Sequence, residues 1–198
     1  YPVPSVALQS THHESSMNVK ITKPVILSVG RLVQRKGFDL VIRVLPKLIT
    51  SFPSCTYVIA GSGPMLETLE RMSRDFNLSS HVHFVLDASD RELALWYSMA
   101  DIFVMPSRRI GSDVEGFGLV FLEAALHKLP VVGTRTGGIS EAVEDGRTGI
   151  LISENREDEL LDALMRILTH PSVGHEMGRE GRERVLRRFT LEKQHPYF

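Results

Sequence analysis

At 198 residues, 42% hydrophobic and 24% charged, the chain is long enough for one substantial α/β domain and has an ordinary globular composition. A formal net charge of -1 gives no bulk attraction to nucleic acid or anionic lipid. The single cysteine, Cys55, excludes an internal disulfide, no CxxC or His/Cys cluster suggests zinc, and no apolar run approaches the ~20 residues of a membrane helix.

In chain order, residues 1–23 carry proline, serine, threonine and histidine without apolar periodicity and read as a linker or loosely held arm. No signal peptide is apparent, and a chain opening on Tyr1 rather than Met reads as a fragment of a longer protein. From Pro24 to residue 189 short β-rich runs alternate with helical spacing, and residues 190–198 read as a tail. The runs are VILSVG (25–30), TYVIAG (56–61), HVHFV (81–85), DIFVM (101–105), PVVGT (130–134) and GILI (149–152). They are apolar throughout rather than alternating, as parallel strands covered on both faces are.

Between them, Phe38, Val41, Val44, Leu45 and Leu48 form one helical stripe, in which Pro46 is expected to bend or shorten the helix. Leu66, Leu69, Met72 and Phe76 form a second, with Gly63 and Pro64 at plausible N-cap and N1 positions. Leu160, Leu161, Leu164 and Leu168 form a third, and a basic helix is expected from about Glu176 to Arg188. Alternating strand and helix predicts a doubly wound, mostly parallel Rossmann-like sheet of about six strands. Ligands of such sheets bind beyond the carboxyl ends of the strands, so the loops after each run matter most.

The first loop, GRLVQRKG, places Arg31 and Lys36 between a strand end and a helix start. Two cations beside exposed helix amides suit a diphosphate; a solvated basic loop is the plainer reading. In GSGP (61–64) no third glycine completes a dinucleotide fingerprint, since position 66 is Leu66, and a tight turn accounts for it. The segment DVEGFGLVFLEAA is the most informative. Glu115 precedes Gly116-Phe117-Gly118, and a helix beginning near Gly118 would leave the amides of Gly118, Leu119 and Val120 free for phosphate. Glu123 interrupts the apolar run LVFLEAAL, where a carboxylate needs a strong partner: a buried ion pair or a ligand hydroxyl. Glu115 is either an exposed loop acid or a site residue, and TGG (136–138) is either a plain turn or a ligand contact.

Together GRLVQRKG, AGSGP, ADIFVMPS, EGFGLVFLE and GTRTGGISEAV resemble the family-four retaining glycosyltransferases over roughly residues 24 to 189. The two glutamates of EGFGLVFLE, with seven residues between them, are the most specific match. The resemblance implies one half of a GT-B architecture, the C-terminal domain that binds a nucleoside-diphosphate sugar. It implies that Gly30, Arg31 and Lys36 hold the diphosphate, that Glu123 binds ribose hydroxyls, and that Glu115 sits at the donor sugar beside the reacting centre. Gly116, Phe117 and the amides of Gly118, Leu119 and Val120 would line the phosphate and sugar, with the base by Leu86. Many relatives have glycine near the point where this chain has Leu86 and Asp87. SRRIGSDVEGFGLVFLEA also looks like mannosyltransferases that use GDP-mannose, with a UDP-sugar the alternative donor.

The expected partner is an N-terminal acceptor domain of the same enzyme, which would carry the family's histidine, so no histidine here takes that role. No nucleic acid or membrane span is expected, and the location is expected to be cytoplasmic or membrane-peripheral in the full-length protein. No cofactor is implied, the nucleotide sugar being a substrate. Asp113-Val114-Glu115 imitates a metal-binding DxD, yet Arg31 and Lys36 already offer the charge, and no metal is expected. A nucleotide-sugar 2-epimerase half and a non-catalytic nucleotide-binding module are the alternatives. A dehydrogenase fits less well because GSGP misses its fingerprint.

Overall fold

The computed structural model describes residues 21–188. Six strands, β1 (Val25–Val29), β2 (Thr56–Ala60), β3 (Val82–Val85), β4 (Ile102–Met105), β5 (Val131–Thr134) and β6 (Gly149–Ile152), form one sheet in the order β3-β2-β1-β4-β5-β6. Every pairing is parallel, with Val25–Val29 in register with Thr56–Ala60 and Phe103 opposite both Leu27 and Val131. Strands β1, β2, β4 and β5 are buried along their whole length, which is why their sequences read as continuous apolar runs. The edge strand β3 is open on part of its surface.

Seven helices connect and cover the sheet: α1 (Phe38–Ser51), α2 (Leu66–Asp75), α3 (Asp90–Met99), α4 (Leu119–Leu126), α5 (Ile139–Ala142), α6 (Glu157–Thr169) and α7 (Pro171–Arg188). One core lies between the sheet and α1, α2 and α6, built from Ile26, Tyr57, Ile59, Leu45, Leu69 and Leu164. The other lies beneath α3, α4 and α5, built from Leu27, Val58, Phe103, Tyr97, Phe121 and Ile139. The strand order reverses between β1 and β4.

Three local expectations are corrected. Helix α1 runs through Pro46 to Ser51 rather than stopping short. Eight of its residues, from Phe38 to Leu48, are buried, and burial of that face outweighs the ~3 kcal/mol that an interior proline costs. Helix α2 begins at Leu66 and not at Pro64, because the Met65 amide bonds the Leu32 carbonyl (2.9 Å) and Leu66 bonds Gly63 (3.1 Å), spending the turn on an anchor. The C-terminal helix starts at Pro171 rather than near Glu176. Helix α3 has no counterpart in the sequence reading; its capping box, Ser89 with Glu92, fixes its start. Of the expected arm, residues 1–20 lie outside the described part, while Thr22 and Lys23 are tied to Thr56 and Asp101. The expected tail also lies outside it.

Candidate functional site

In such sheets ligands bind where the strand order reverses, here between the carboxyl ends of β1 and β4, and two loops meet there: 30–37 after β1 and 106–118 after β4. The first is held rigidly from below. Leu32 is fully buried, its amide donating to the Ser62 carbonyl (2.8 Å), and Gly30 donates to Ala60 (2.9 Å). A Cβ on Gly61 would strike the Gly30 carbonyl, and one on Gly63 would sit 2.6 Å from the Leu32 oxygen. The GSGP turn is thus a brace for the basic loop, which accounts for its glycines without a nucleotide.

From this platform a single 3-10 turn, Gln34–Lys36, delivers the cations. Lys36 folds back beside Gly30 and is only 8% exposed. Its Nζ lies 2.9 Å from Glu115 Oε2, and Arg35 Nη1 lies 2.5 Å from the same oxygen. Ser107 Oγ donates to it at 3.4 Å, and Arg35 Nε reaches Asp113 Oδ1 at 3.2 Å. Glu115 is 6% exposed, so the exposed-loop-acid reading is set aside: it is a buried carboxylate between two cations. Arg31 is exposed at the rim, and among the described residues its guanidinium has no hydrogen-bond or ion-pair partner. Arg35 escapes a sequence reading because neighbouring residues normally point apart; only the tight turn aims Arg35 and Lys36 at one acid.

Arg108 knits the two loops together. Its Nε donates to the Gln34 carbonyl (3.1 Å), its amide to the Arg35 carbonyl (2.7 Å), and its guanidinium to Asp39 and to Asn155 Oδ1 (3.2 Å). The TGG turn supports Glu115 from the other side. Gly137 sits at φ 53°, a Cβ there would land on the Glu115 carbonyl oxygen, and the Gly138 amide donates to Gly116 at 2.9 Å. It is a turn in direct service of the acid-bearing loop.

Gly118, at φ 73°, caps α4, and its carbonyl accepts from Phe121 at 2.9 Å. Phe121 is buried against Gly118 and Gly133 and stacks edge-on with Phe103, pinning the helix start. The first-turn amides of Leu119 and Val120 have no carbonyl one turn back, and the helix dipole adds partial positive charge there. Leu119 is 65% exposed beside them.

Glu123 is exposed, which sets aside the buried-ion-pair alternative. Only Phe121, Ala124 and Ala125 of α4 are buried, and Glu123 lies on the open face, one turn from Leu119. One carboxylate oxygen accepts from the Tyr97 hydroxyl at 2.9 Å. Burial, reinforced by the negative charge of Glu123, drives the Tyr97 phenol far above its ordinary range, so the hydroxyl remains a proton donor. Leu86 is exposed after β3, at the same sheet end but two strand spacings, roughly 10 Å, from β1. Asp87 beside it takes a left-handed backbone.

The sequence matches the family model for glycosyl transferases group 1 over residues 11–184. A GDP-mannose-dependent alpha-(1-6)-phosphatidylinositol monomannoside mannosyltransferase of Mycolicibacterium smegmatis is 42% identical over 166 residues, 83% of this chain and 44% of that protein. A GDP-mannose-dependent monoacylated alpha-(1-6)-phosphatidylinositol monomannoside mannosyltransferase of Corynebacterium glutamicum is 36% identical over 173 residues, 86% of this chain and 45% of its own length. The chain spans about half the length of the curated relatives it matches. Among solved structures, the C-terminal domain of a glycosyl transferase group 1 family protein from Francisella tularensis aligns with TM-score 0.76 at 25% identity, covering 86% of this chain and 88% of that one.

Proposed function

Since this chain belongs to the group 1 glycosyl transferases, we propose that it binds the donor, a nucleoside-diphosphate sugar, for transfer with retention and without a metal. The observation that carries the reading is the buried Lys36–Glu115–Arg35 cluster beside the free amides of α4, at the point where strand order reverses. GDP-mannose is the favoured donor, because relatives at 42% and 36% identity are named for it.

Each side chain then has a task. The diphosphate lies between Arg31, Lys36 and the amides of Leu119 and Val120. An ammonium has three donors, and Lys36 spends one on Glu115, which leaves others for phosphate oxygens. As the bond from the anomeric carbon to the phosphate oxygen breaks, the sugar gains oxocarbenium character and negative charge grows on the departing diphosphate. Fixed cations and amides stabilise that charge without reorganising. Glu115, held by Arg35 and Lys36, faces the sugar as an acceptor for its hydroxyls, and Glu123 faces the ribose. Arg108 and the GSGP and TGG turns keep this set in place before any ligand arrives. The acceptor is supplied by the rest of the enzyme, and the sugar transfer by the two halves together.

Calorimetric titration of GDP and UDP into the 198-residue chain tests the reading. Binding is expected for at least one of them, with GDP favoured, and Lys36→Ala and Arg31→Ala should each weaken it about tenfold or more, the weight of a charge-assisted hydrogen bond. Unchanged affinity in both variants would show that the diphosphate lies elsewhere.

A further inference from the structure

Glu123 sits on the open face of α4, where a glutamate with three rotatable bonds would normally wander. Here it does not have that freedom. Tyr97 comes from the last turn of α3, a different element, and its hydroxyl donates to Glu123 Oε2 at 2.9 Å. The Tyr97 ring is itself fixed. It is 3% exposed, it packs against Phe103 with centroids 5.9 Å apart, and it stacks on His127 at 5.4 Å and 18°. Phe103 in turn meets Phe121, whose packing against Gly118 sets the start of α4. The phenol is therefore a rigid donor aimed at an otherwise mobile carboxylate, and it belongs to the same packed unit as the helix N-terminus.

Resting on the proposed donor site, we infer that Tyr97 is a positioning residue: its hydroxyl occupies one oxygen of Glu123 and turns the carboxylate so that a vicinal diol, the ribose of the donor nucleotide, can donate to it. The chemistry favours this division. A carboxylate has about four lone-pair sites on its two oxygens, and one donor from the protein leaves enough for two hydroxyls. Without Tyr97 the carboxylate would still be present, but ordering it would be charged against ligand binding. Tyr97 touches neither sugar nor phosphate; it acts through Glu123.

The test is the ribose preference of Tyr97→Phe, which removes one oxygen and keeps the ring. Affinities for GDP and for 2′,3′-dideoxy-GDP are measured by calorimetry on the wild-type chain and the variant, with thermal melting as a check of folding. Wild type should prefer GDP, Tyr97→Phe should bind GDP about tenfold more weakly, and the dideoxy nucleotide should bind both proteins alike. Glu123→Gln should lose the same preference, with little further loss in the double variant, as expected for two groups acting as one. If Tyr97→Phe weakens both nucleotides by the same factor, or neither, the positioning role is wrong while the donor site stands. A wild type without ribose preference overturns the role of Glu123 and with it that of Tyr97. No nucleotide binding at all overturns the proposed function itself.

Discussion

One carboxylate oxygen of Glu115 is shared by Arg35, Lys36 and Ser107. Removing its charge leaves two cations facing each other in a nearly closed space. Glu115→Gln is expected to lower stability by about 3 kcal/mol, the low end of the range for a broken buried pair, because the Arg35 side chain is 23% exposed and water can reach it. A bound anion can replace the missing charge, so GDP should raise the melting temperature of this variant more than that of wild type. Differential scanning calorimetry with and without GDP checks both signs; equal shifts would mean that Glu115 and the diphosphate do not share these cations. A second residue-scale prediction concerns Cys55, which is fully buried. Burial, with the charge of Asp101 as a smaller cause, pushes its thiol from 9.0 up to about 12. The unfolded chain then ionises at lower pH than the folded one. The contribution of Cys55 to stability is complete below about pH 9 and disappears as pH rises through about 12. At pH 8 the thiol should react with a disulfide reagent only at the rate of unfolding, whereas immediate labelling would place Cys55 at the surface.

The turns that carry the site are themselves braced by other turns, and glycines report where. Gly137 has φ 53° and no room, since a Cβ would strike the Glu115 carbonyl; Gly146 has φ 76° and open space around it. Gly146→Ala should cost only the left-handed backbone penalty, about 1–2 kcal/mol. Gly137→Ala should cost clearly more and also weaken GDP binding, because the Glu115 loop must move. Equal melting temperatures for the two variants would show that the TGG turn does not support the loop. This bracing explains what could be read from the sequence. The six strands were legible because a parallel sheet covered on both faces demands continuous apolar runs, and VILSV and TYVIA have no other use. Loop order put Lys36, Glu115 and Gly118 at the strand ends as candidates, and the family resemblance implied their roles. Arg35 and Tyr97 were not legible, since their importance comes from partners 80 and 26 residues away. Helix α3 hid because Leu95 and Met99 remain exposed and only Tyr97 is fully inside, so no clean stripe marks it. The helical start at Pro64 was overruled by hydrogen bonds to Leu32, a contact that no local pattern announces.

At the scale of the whole molecule, the residues assigned to the proposed donor site gather at one end of the sheet, Lys36 and Glu115 buried and Arg31 and Leu119 at the surface. Arg31 and Leu119 are exposed there, and the first-turn amides of α4 have no partner one turn back. The curated relatives it matches are about twice as long as this chain. The proposed function makes this face one half of a site, with two consequences. Much of the attraction for a diphosphate comes from charges in contact with solvent, so affinity should fall as salt rises and the Debye length shrinks from ≈ 10 Å at 0.1 M to ≈ 3 Å at 1 M. On the proposed function, binding needs only groups within residues 30 to 123, whereas transfer also needs an acceptor held in line and a cleft free of water. The 198-residue chain is therefore expected to bind GDP at low salt, to bind it less well at high salt, and to transfer no sugar from GDP-mannose. Adding the proposed acceptor half, as a separate polypeptide or in one chain, should restore transfer and reduce the salt dependence by enclosing Arg31 and the α4 amides. Calorimetry at two salt concentrations beside a radiolabelled transfer assay reads both. Robust turnover by the chain alone would show that the outward face already holds a complete active site.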